Sequence, residues 1–328
     1  MNEKKFYKYI YKKISIPKSF EGKRVDGFLS EIWKKYSRSQ LQKWIKEGKI
    51  TKNKKIIKPK QKIQGGEEII LSARIYENKN CWLPIPEKNI PINPIFENDN
   101  VLIIEKTADL VVHPGPGNLT GTLFNGLLSY NKNLSEVPRA GIVHRLDKGT
   151  SGIMIIAKTL QSYNFLKKEL SERRIIREYE AVAIGNMFLK KTVSTNIGRD
   201  PYNRLKMSVT QEGKKAITHI QSVKNYSHFT KLLCKLETGR THQIRVHVEY
   251  LGFPLVGDPV YNKKKFKIHG NNKICKKVLK CILSFKRQAL HAKRINFLDQ
   301  DTGKYLNFHS ETPKDIKELL LVLDQSNN

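Results

Sequence analysis

The 328-residue sequence contains few cysteines, no long apolar run and about half as many acidic as basic side chains. A membrane-spanning helix needs about 20 predominantly apolar residues, and no run approaches that length, so we expect no membrane partner. The N-terminal residues MNEKKFYKYIYKK are basic but lack the apolar core and small-residue cleavage site of a secretory signal. We therefore expect a cytoplasmic protein.

The four cysteines show neither a Cys-x-x-Cys pair nor the spacing of a metal site; they are Cys81, Cys234, Cys275 and Cys281. We expect reduced, structural thiols, and predict no disulfide and no metal ion. The sequence also lacks a glycine-rich phosphate loop and the strand-helix alternation of a dinucleotide-binding sheet. No cofactor is therefore expected.

Positive charge is the strongest compositional feature, with a formal net charge of +31. Residues 1–75 carry 21 Lys and Arg against 7 Asp and Glu, and residues 263–294 carry 12 against none. Two concentrated patches favour a polyanionic partner, most simply nucleic acid. Compositional drift towards Lys, Ile and Asn is the alternative, and for the basic insert at 263–286 it is the simpler interpretation.

Helix and strand signals follow one another in the first part of the chain. Residues 1–20 form a basic arm. Apolar spacing then predicts helices at Val25–Tyr36 and Gln40–Glu47, and two strand-like stretches come after them at Lys49–Ile57 and Ile63–Ser72.

Three fragments within this pattern are Arg24-Val25-Asp26, Ser37-Arg38-Ser39 and Gly48-Lys49-Ile50. Together, over residues 21–75, they resemble an S4-type RNA-binding domain. The resemblance implies that three helical side chains contact RNA phosphates, namely Arg38, Lys43 and Lys46. The alternative is a basic helical hairpin whose charges only face solvent.

Four prolines between residues 76 and 94 predict an extended linker. A second domain follows over residues 95–325, and its sequence indicates mainly strands joined by short turns, with a few helices between them. This pattern predicts an α+β domain built on a mixed, mainly antiparallel sheet with flanking helices.

The most informative stretch is GIVHRLDKGTSGIMIIAK, residues 141–158, in which a polar turn joins two apolar strands. Such a turn can hold a reactive side chain rigidly while showing it to solvent. Its one carboxylate, Asp147, lies between Arg145 and Lys148, and these cations favour the ionised form that a nucleophile or base needs. Alternatively, an Asp in a turn is only a turn or capping residue.

Five motifs follow one another in the second domain: VVHPGPGN, AGIVHRLDKGTSG, REYEAVAIG, LETGRTHQIRVH and PLVGDPVY. In this order they resemble the RluA-type pseudouridine synthases, and the resemblance covers most of the chain, from about residue 12 to residue 323. It implies the pseudouridine synthase fold and the isomerisation of uridine in RNA without a cofactor. One difference is Gly149, which stands where the family usually has an acidic residue.

The resemblance implies roles for three side chains. Asp147 would start cleavage of the glycosidic bond, either as nucleophile or as base. Tyr179 would pack on the target base and take part in proton transfer, and Arg245 would pair with Asp147. Arg240 is the second candidate for that pairing. Considered without the family, Tyr179 is a core strand residue and each arginine is a surface or phosphate contact.

Other residues are expected around the substrate. Arg145 matches the family position whose side chain enters the RNA stack when the uridine is flipped out. Four more residues are expected near the substrate: His144, Leu146, Arg240 and His242. We interpret the two histidines as hydrogen-bonding framework residues, because no Ser or Cys nucleophile is paired with them.

Within the family, the HPGPGN, REYEAVAIG and RQALHA segments are most similar to members that modify the helix 69 stem-loop of 23S ribosomal RNA. The expected partner is therefore 23S rRNA or a precursor of the large ribosomal subunit, bound by a monomer. The alternatives are another 23S site, a non-catalytic rRNA-binding assembly factor and a hydrolase. A hydrolase would need paired carboxylates or metal ligands.

Overall fold

The structure is a computed structural model that describes residues 7–33, 36, 38–76, 85–115, 117–188, 190–203, 206–262 and 276–326. The chain divides into two compact units, residues 1–83 and residues 84–328. Within the described ranges, every helix is too short or too polar to cross a membrane. The expected cytoplasmic location stays a prediction.

The first unit combines a four-stranded antiparallel sheet with two helices. In chain order its elements are strand β1 (Tyr7–Ser15), helices α1 (Val25–Ile32) and α2 (Arg38–Lys46), and strands β2 (Ile50–Lys52), β3 (Lys55–Ile56) and β4 (Glu68–Tyr76). The strand order in the sheet is β1-β4-β2-β3.

Apolar side chains of both helices and the sheet form one core in this unit. Helical spacing places buried residues on one face of each helix, and strand alternation does the same along β4. The core includes Phe28, Leu29, Leu41, Trp44, Ile45, Ile50, Ile69 and Leu71.

Two parts of the first unit differ from the sequence prediction. Nine of the 20 residues of the expected basic arm, Tyr7–Ser15, form strand β1, which pairs along its whole length with β4. The single strand predicted at Lys49–Ile57 is a hairpin of β2 and β3. Its turn residues Asn53 and Lys54 have φ values of 48° and 63°, as a tight two-residue turn requires.

The second unit is built on one ten-stranded sheet. In chain order its elements are β5 (Pro94–Glu97), β6 (Val101–Lys106), α3 (Leu123–Tyr130), β7 (Ser151–Ala157), α4 (Leu160–Ser171), β8 (Ile176–Ile184), β9 (Lys190–Arg199), β10 (Met207–Val209), β11 (Lys214–Tyr226), β12 (Phe229–Leu236), α5 (Gln243–Tyr250), α6 (Lys276–Ser284), β13 (Leu290–Leu298), β14 (Tyr305–His309) and α7 (Lys314–Gln325).

The sheet is mixed and mainly antiparallel, as predicted. Its strand order is β10-β9-β11-β12-β8-β13-β7-β6-β5, and β14 pairs with β13. Among the described strand pairs, β13 and β7 alone run parallel. All seven residues of β7 are buried, which explains why its sequence is a continuous apolar run.

Three parts of the second unit carry its predicted site residues: the loop that precedes β7, strand β8, and helix α5 with the turn before it. The segment 238–247 is a turn followed by a helix, as its sequence predicts. Of the basic insert at 263–286, residues 263–275 lie outside the described residues. Helix α6 follows them and buries Val278 and Ile282.

A buried carboxylate joins the two helices of the first unit. Asp26 on α1 is fully buried and accepts hydrogen bonds from Arg24 (3.1 and 2.9 Å), and from Arg38 (3.2 and 3.0 Å) and Gln42 (2.6 Å) on α2. Burial alone would raise the pKa of Asp26, but the hydrogen bonds outweigh burial and hold the pKa well below its ordinary value. Asp26 is therefore ionised at neutral pH.

Replacing Asp26 by Asn should destabilise the first unit by about 1–3 kcal/mol at neutral pH, because several charge-assisted hydrogen bonds are weakened at once. Urea unfolding followed by tryptophan fluorescence measures this unit, since Trp33, Trp44 and Trp82 are the three tryptophans of the chain. The matched control is Glu31→Gln, which removes an exposed ion pair with Lys23 and should change stability by less than about 0.5 kcal/mol.

The same comparison carries a pH signature. The pKa of Asp26 is lower in the folded chain than its unfolded value of about 3.9, so its stabilisation is complete above that value and is lost as the pH falls towards the folded pKa. The stability difference between wild type and Asp26→Asn should shrink between about pH 5 and about pH 3. A difference that stays constant over this range would contradict the assignment.

Candidate active site

Arg245 on α5 connects two carboxylates. Its Nη1 donates to Asp147 Oδ2 at 2.9 Å, and its Nε and Nη2 donate to Asp258 Oδ2 and Oδ1 at 2.7 and 2.9 Å. Arg245 and Asp258 are buried, whereas 17% of the Asp147 side chain is exposed. One guanidinium thus lies between a carboxylate of the core and a carboxylate that reaches solvent.

Asp258 orients the guanidinium of Arg245. Its Oδ1 also accepts hydrogen bonds from the backbone N–H groups of Val260 and Tyr261, at 2.9 and 3.0 Å. The ring of Tyr261 lies 5.0 Å from the guanidinium carbon, a distance at which a cation is attracted to an aromatic face. Contacts with Asp258 and Tyr261 therefore fix the guanidinium of Arg245 on the side opposite Asp147.

The charge of Arg245 is secure in this position. Burial alone lowers the pKa of Arg245, but hydrogen bonds to Asp258 and the negative charges of Asp258 and Asp147 raise it further than burial lowers it. The site thus has a permanent positive charge within hydrogen-bond distance of Asp147.

Side chains from other segments also hold the loop just after Asp147. Each of the next three residues receives one hydrogen bond: Lys106 Nζ donates to Lys148 O (3.1 Å), Arg287 Nη1 to Gly149 O (2.9 Å) and Gln288 Nε2 to Thr150 Oγ1 (3.0 Å). All three donors are buried. We call these three side chains the loop clamp.

The lack of a side chain at Gly149 makes room for two residues of the loop clamp. A Cβ atom at this position would lie 2.8 Å from Gln288 Oε1 and 3.3 Å from Arg287 Cβ, closer than side-chain atoms normally approach. The glycine that differs from the family pattern therefore leaves the space in which Arg287 and Gln288 pack against the loop.

Lys106 is an unusual member of the clamp, because it is a fully buried lysine at the end of β6. Its Nζ also donates to Thr107 O (2.7 Å) and Leu110 O (2.9 Å), so three backbone carbonyls satisfy it. Burial lowers the pKa of Lys106 to about 7, although the charges of Asp109 and Asp147 act in the opposite direction. Lys106 acts on the loop through its one hydrogen bond to Lys148 O.

Tyr179 lies on β8 and lines the same cleft as Asp147. It is 6% exposed. Burial raises the pKa of its hydroxyl, and the positive charge of Arg177 reduces this effect only in part. The phenol is therefore neutral at physiological pH and retains a proton to donate.

The two predicted framework histidines make different contacts. His144 Nε2 accepts a hydrogen bond from the Ile155 N–H at 3.1 Å, and burial, followed by the charge of Arg177, lowers its pKa to about 3. His242 Nδ1 is 2.9 Å from the Tyr261 hydroxyl, and its Nε2 is 4.0 Å from Asp147 Oδ2. Burial also lowers the pKa of His242. Both contacts fit a framework role.

The cleft has a volume of about 720 Å³. Of the described residues that line it, Asp147 alone carries a carboxylate. Five lining residues are arginines, namely Arg139, Arg145, Arg177, Arg240 and Arg245. A cleft with this charge favours a polyanionic substrate.

The remaining predicted residues occupy the edge and the wall of the cleft. Arg145 and Arg240 are exposed, whereas Leu146 is buried in the core and contributes to the wall. Arg240 was the second candidate for pairing with Asp147, and this alternative was wrong. Its Nε donates to the backbone oxygen of Lys215 at 2.9 Å, while α5 presents Arg245 to the carboxylate.

In the first unit, the three predicted RNA contacts lie on exposed positions of α2. The guanidinium of Arg38 donates hydrogen bonds to Asp26, and Lys43 lies 3.8 Å from Glu47. Lys46 is also exposed. All three can therefore reach a partner, although Arg38 also has a structural contact.

Sequence analysis missed four buried charged residues around the site: Lys106, Arg177, Asp258 and Arg287. Asp258, Arg177 and Arg287 lie within motifs that were quoted for the family resemblance, but none was given a role. A charged residue inside an otherwise apolar segment was the available signal. Its partner could not be read from the sequence, because Arg245 and Asp258 are 13 residues apart and Arg287 and Gly149 are 138 apart.

Comparison with known proteins places both units in described families. Residues 100–250 match the RNA pseudouridylate synthase family, and residues 23–69 match the S4 domain. Curated relatives named ribosomal large subunit pseudouridine synthase D include a Neisseria meningitidis protein with 44% identity, covering 94% of this chain and 81% of the relative. The Escherichia coli K12 relative of that name has 42% identity, covering 92% and 91%.

Solved structures support the same fold. The structure named Human RNA Pseudouridylate Synthase Domain Containing 4 aligns with a TM-score of 0.55 and 20% identity, covering 71% of this chain and 93% of that one. At this identity the similarity concerns the fold alone.

Replacing Arg245 by Met should cost about 3–5 kcal/mol of stability, because Asp258 would then be a buried carboxylate without its charged partner. Adding Asp258→Asn removes that charge, so the double variant should lose less than the sum of the two single losses. Urea unfolding followed by circular dichroism measures all three variants. Arg240→Met, at an exposed position, is the control. Strictly additive losses would show that the two residues are not coupled.

Proposed function

The chain belongs to the RNA pseudouridylate synthase family and is a pseudouridine synthase, an isomerase, and we propose that it converts uridine to pseudouridine in 23S rRNA. The observation that carries this target is the 44% identity, over 94% of the chain, with a relative named for the large ribosomal subunit. The HPGPGN and RQALHA segments support helix 69 as the modified stem-loop. Another 23S site is the alternative.

The reaction breaks the bond between N1 of uracil and C1′ of ribose, and forms a bond between C5 and C1′. One proton leaves C5 and one is gained at N1, so substrate and product have the same atoms and electrons. The balance requires no oxidant and no energy donor, and we propose that the enzyme works without a cofactor. Its residues must cleave the glycosidic bond, retain the free base and move the proton.

Asp147 starts glycosidic cleavage in this proposal, as nucleophile or as base. The supporting geometry is the hydrogen bond from Arg245, which keeps a carboxylate charged and oriented at the cleft. The loop clamp fixes the backbone that follows. A reactive group held in this way needs little reorganisation when the substrate arrives.

In this proposal Tyr179 contacts the target base, and Arg145 contacts the bases that stack on either side of it. The Tyr179 ring packs on the uracil while it is detached and rotated, and its neutral hydroxyl takes part in proton transfer. Arg145, exposed at the cleft, enters the stack in place of the flipped nucleotide. Leu146 and the histidines His144 and His242 shape the wall around them.

The first unit is an S4 domain, and we propose that it binds the rRNA through α2. Arg38, Lys43 and Lys46 would contact phosphates, which adds affinity without reading sequence. The enzyme would act as a monomer on 23S rRNA or on a precursor of the large subunit.

Replacing Asp147 by Asn should reduce pseudouridine formation by more than about 100-fold, because the amide can serve neither as nucleophile nor as base. Carbodiimide-based mapping of 23S rRNA tests this in cells that lack the protein and carry wild type or the variant. We expect the helix 69 marks to vanish in the deletion strain and to return only with wild type.

Matched controls separate the target from the chemistry. Glu31→Gln should restore the marks like wild type, because Glu31 is exposed and lies far from Asp147 in the sequence. Loss of marks only outside helix 69 would move the target to another 23S site. Persistence of every 23S mark in the deletion strain would refute the rRNA assignment. Purified Asp147→Asn should still bind the RNA with wild-type affinity.

The double variant Lys43→Ala/Lys46→Ala should weaken RNA binding and reduce the slope of log K against log salt by about 1.5–2, since each lysine that contacts a phosphate releases about one counterion. Filter binding at several salt concentrations measures the slope. Lys314→Ala/Lys317→Ala on α7 serves as the control with equal loss of charge. Equal slopes for both double variants would contradict the role of α2.

A further inference from the structure

Arg177 is a buried cation in the cleft whose partner is not a carboxylate. It is 7% exposed, and its Nε is buried without a hydrogen-bond partner among the described residues. Its guanidinium makes one long hydrogen bond, from Nη2 to the backbone oxygen of Glu237 at 3.4 Å. No described Asp or Glu lies within ion-pair distance. The positive charge is thus left without a counterion.

The neighbours of Arg177 in the sheet make this arrangement costly. The residues opposite it are Leu236 on β12 and Ile295 on β13, and residues opposite one another share a face of the sheet. Burying a cation among apolar side chains without a partner carries a large desolvation cost. Accordingly, burial lowers the pKa of Arg177. Glu180, a buried charged residue on the same strand, shows the contrast. Its carboxylate has two counterions, Lys231 at 2.9 Å and Lys293 at 3.0 Å.

Arg177 nevertheless reaches the cleft. It is one of the lining residues, together with Gly239 and Tyr179. A Cβ atom at Gly239 would lie 2.9 Å from Arg177 Nη1, so the glycine leaves room for the guanidinium at the cleft wall. The missing negative charge can therefore be supplied from the cleft side.

We propose that Arg177 forms a phosphate subsite that binds a phosphodiester group next to the target uridine. Residues 177 and 179 are two apart on β8, so their side chains lie on one face of the strand, about 7 Å apart. In the proposed function, on which this inference rests, Tyr179 packs on the uracil. The phosphate of a nucleotide lies at a comparable distance from its base, which brings it to Arg177. An arginine fork suits a phosphate through two parallel hydrogen bonds.

The site differs from a general basic surface, because burial makes it selective. An exposed arginine such as Arg240 can exchange one phosphate for another or for water. Arg177 has less freedom, because its side chain is buried and its guanidinium lies beside Gly239. The subsite would therefore contribute to binding only when a nucleotide has been flipped into the cleft.

A neutral phosphate tests the subsite directly. Helix 69 stem-loops are prepared with a methylphosphonate at either of the two phosphates that flank the target uridine. At one of them, the substitution should weaken wild-type binding by about 10- to 100-fold. Arg177→Met should bind the native RNA about as weakly and should no longer respond to the substitution. Lys314→Met, at an exposed position of α7 outside the cleft lining, should respond like wild type.

A second variant covers the case in which Arg177→Met does not fold. Gly239→Ala keeps the charge but places a methyl group against Arg177 Nη1, so it should reduce the response to the methylphosphonate. Full wild-type sensitivity in Arg177→Met, or in Gly239→Ala if only that variant folds, would overturn the proposal.

Mononucleotides separate this inference from the proposed RNA target. Calorimetry with wild type should show tighter binding of either the 3′- or the 5′-monophosphate of uridine than of uridine itself, by about 10-fold or more. Arg177→Met should bind the nucleoside and the monophosphate equally. This result would support the subsite even if the helix 69 stem-loop is not a substrate. Equal preference for the monophosphate in both proteins would refute it.

Discussion

The candidate active site depends on the bridge that Arg245 forms between Asp258 and Asp147. A buried guanidinium is tolerated only where its charge and donors are satisfied, and Asp258 satisfies two of them inside the core. A third donor, on Nη1, is then aimed at Asp147, 98 residues away in sequence. The geometry of the Asp147 carboxylate is therefore set by the same ion pairs that fix α5 in the second unit.

The loop clamp completes this arrangement by holding the loop that carries Asp147. Lys106, Arg287 and Gln288 each hold one of the three residues after Asp147. Arg287 also donates to both oxygens of Asp315, near the start of α7, at 2.6 and 2.8 Å. The C-terminal helix thus belongs to the support of the site, and a loop that faces solvent gains the rigidity of the elements behind it.

Positive charge serves two purposes in this protein. Arg245, Arg287 and Lys106 are buried and hold backbone or carboxylates in place. The lysines of α2 and the cleft arginines at positions 145 and 240 are exposed, where they suit a polyanion. Compositional drift explains a high lysine content, but it does not explain a cleft whose described lining has five arginines and one carboxylate.

The sequence by itself determined the two-domain order and the α+β class, because these depend on local periodicity. The pairing of Asp147 with Arg245 was implied by the family resemblance, with Arg240 left as the alternative. The sequence also indicated that His144 is a framework residue. Only the tertiary structure decided that β1 belongs to the sheet, that Asp258 orients Arg245, that Arg240 is engaged elsewhere and that Arg177 lacks a counterion. Each of these depends on contacts between distant segments, and a buried charge in a sequence does not reveal which partner the fold brings to it.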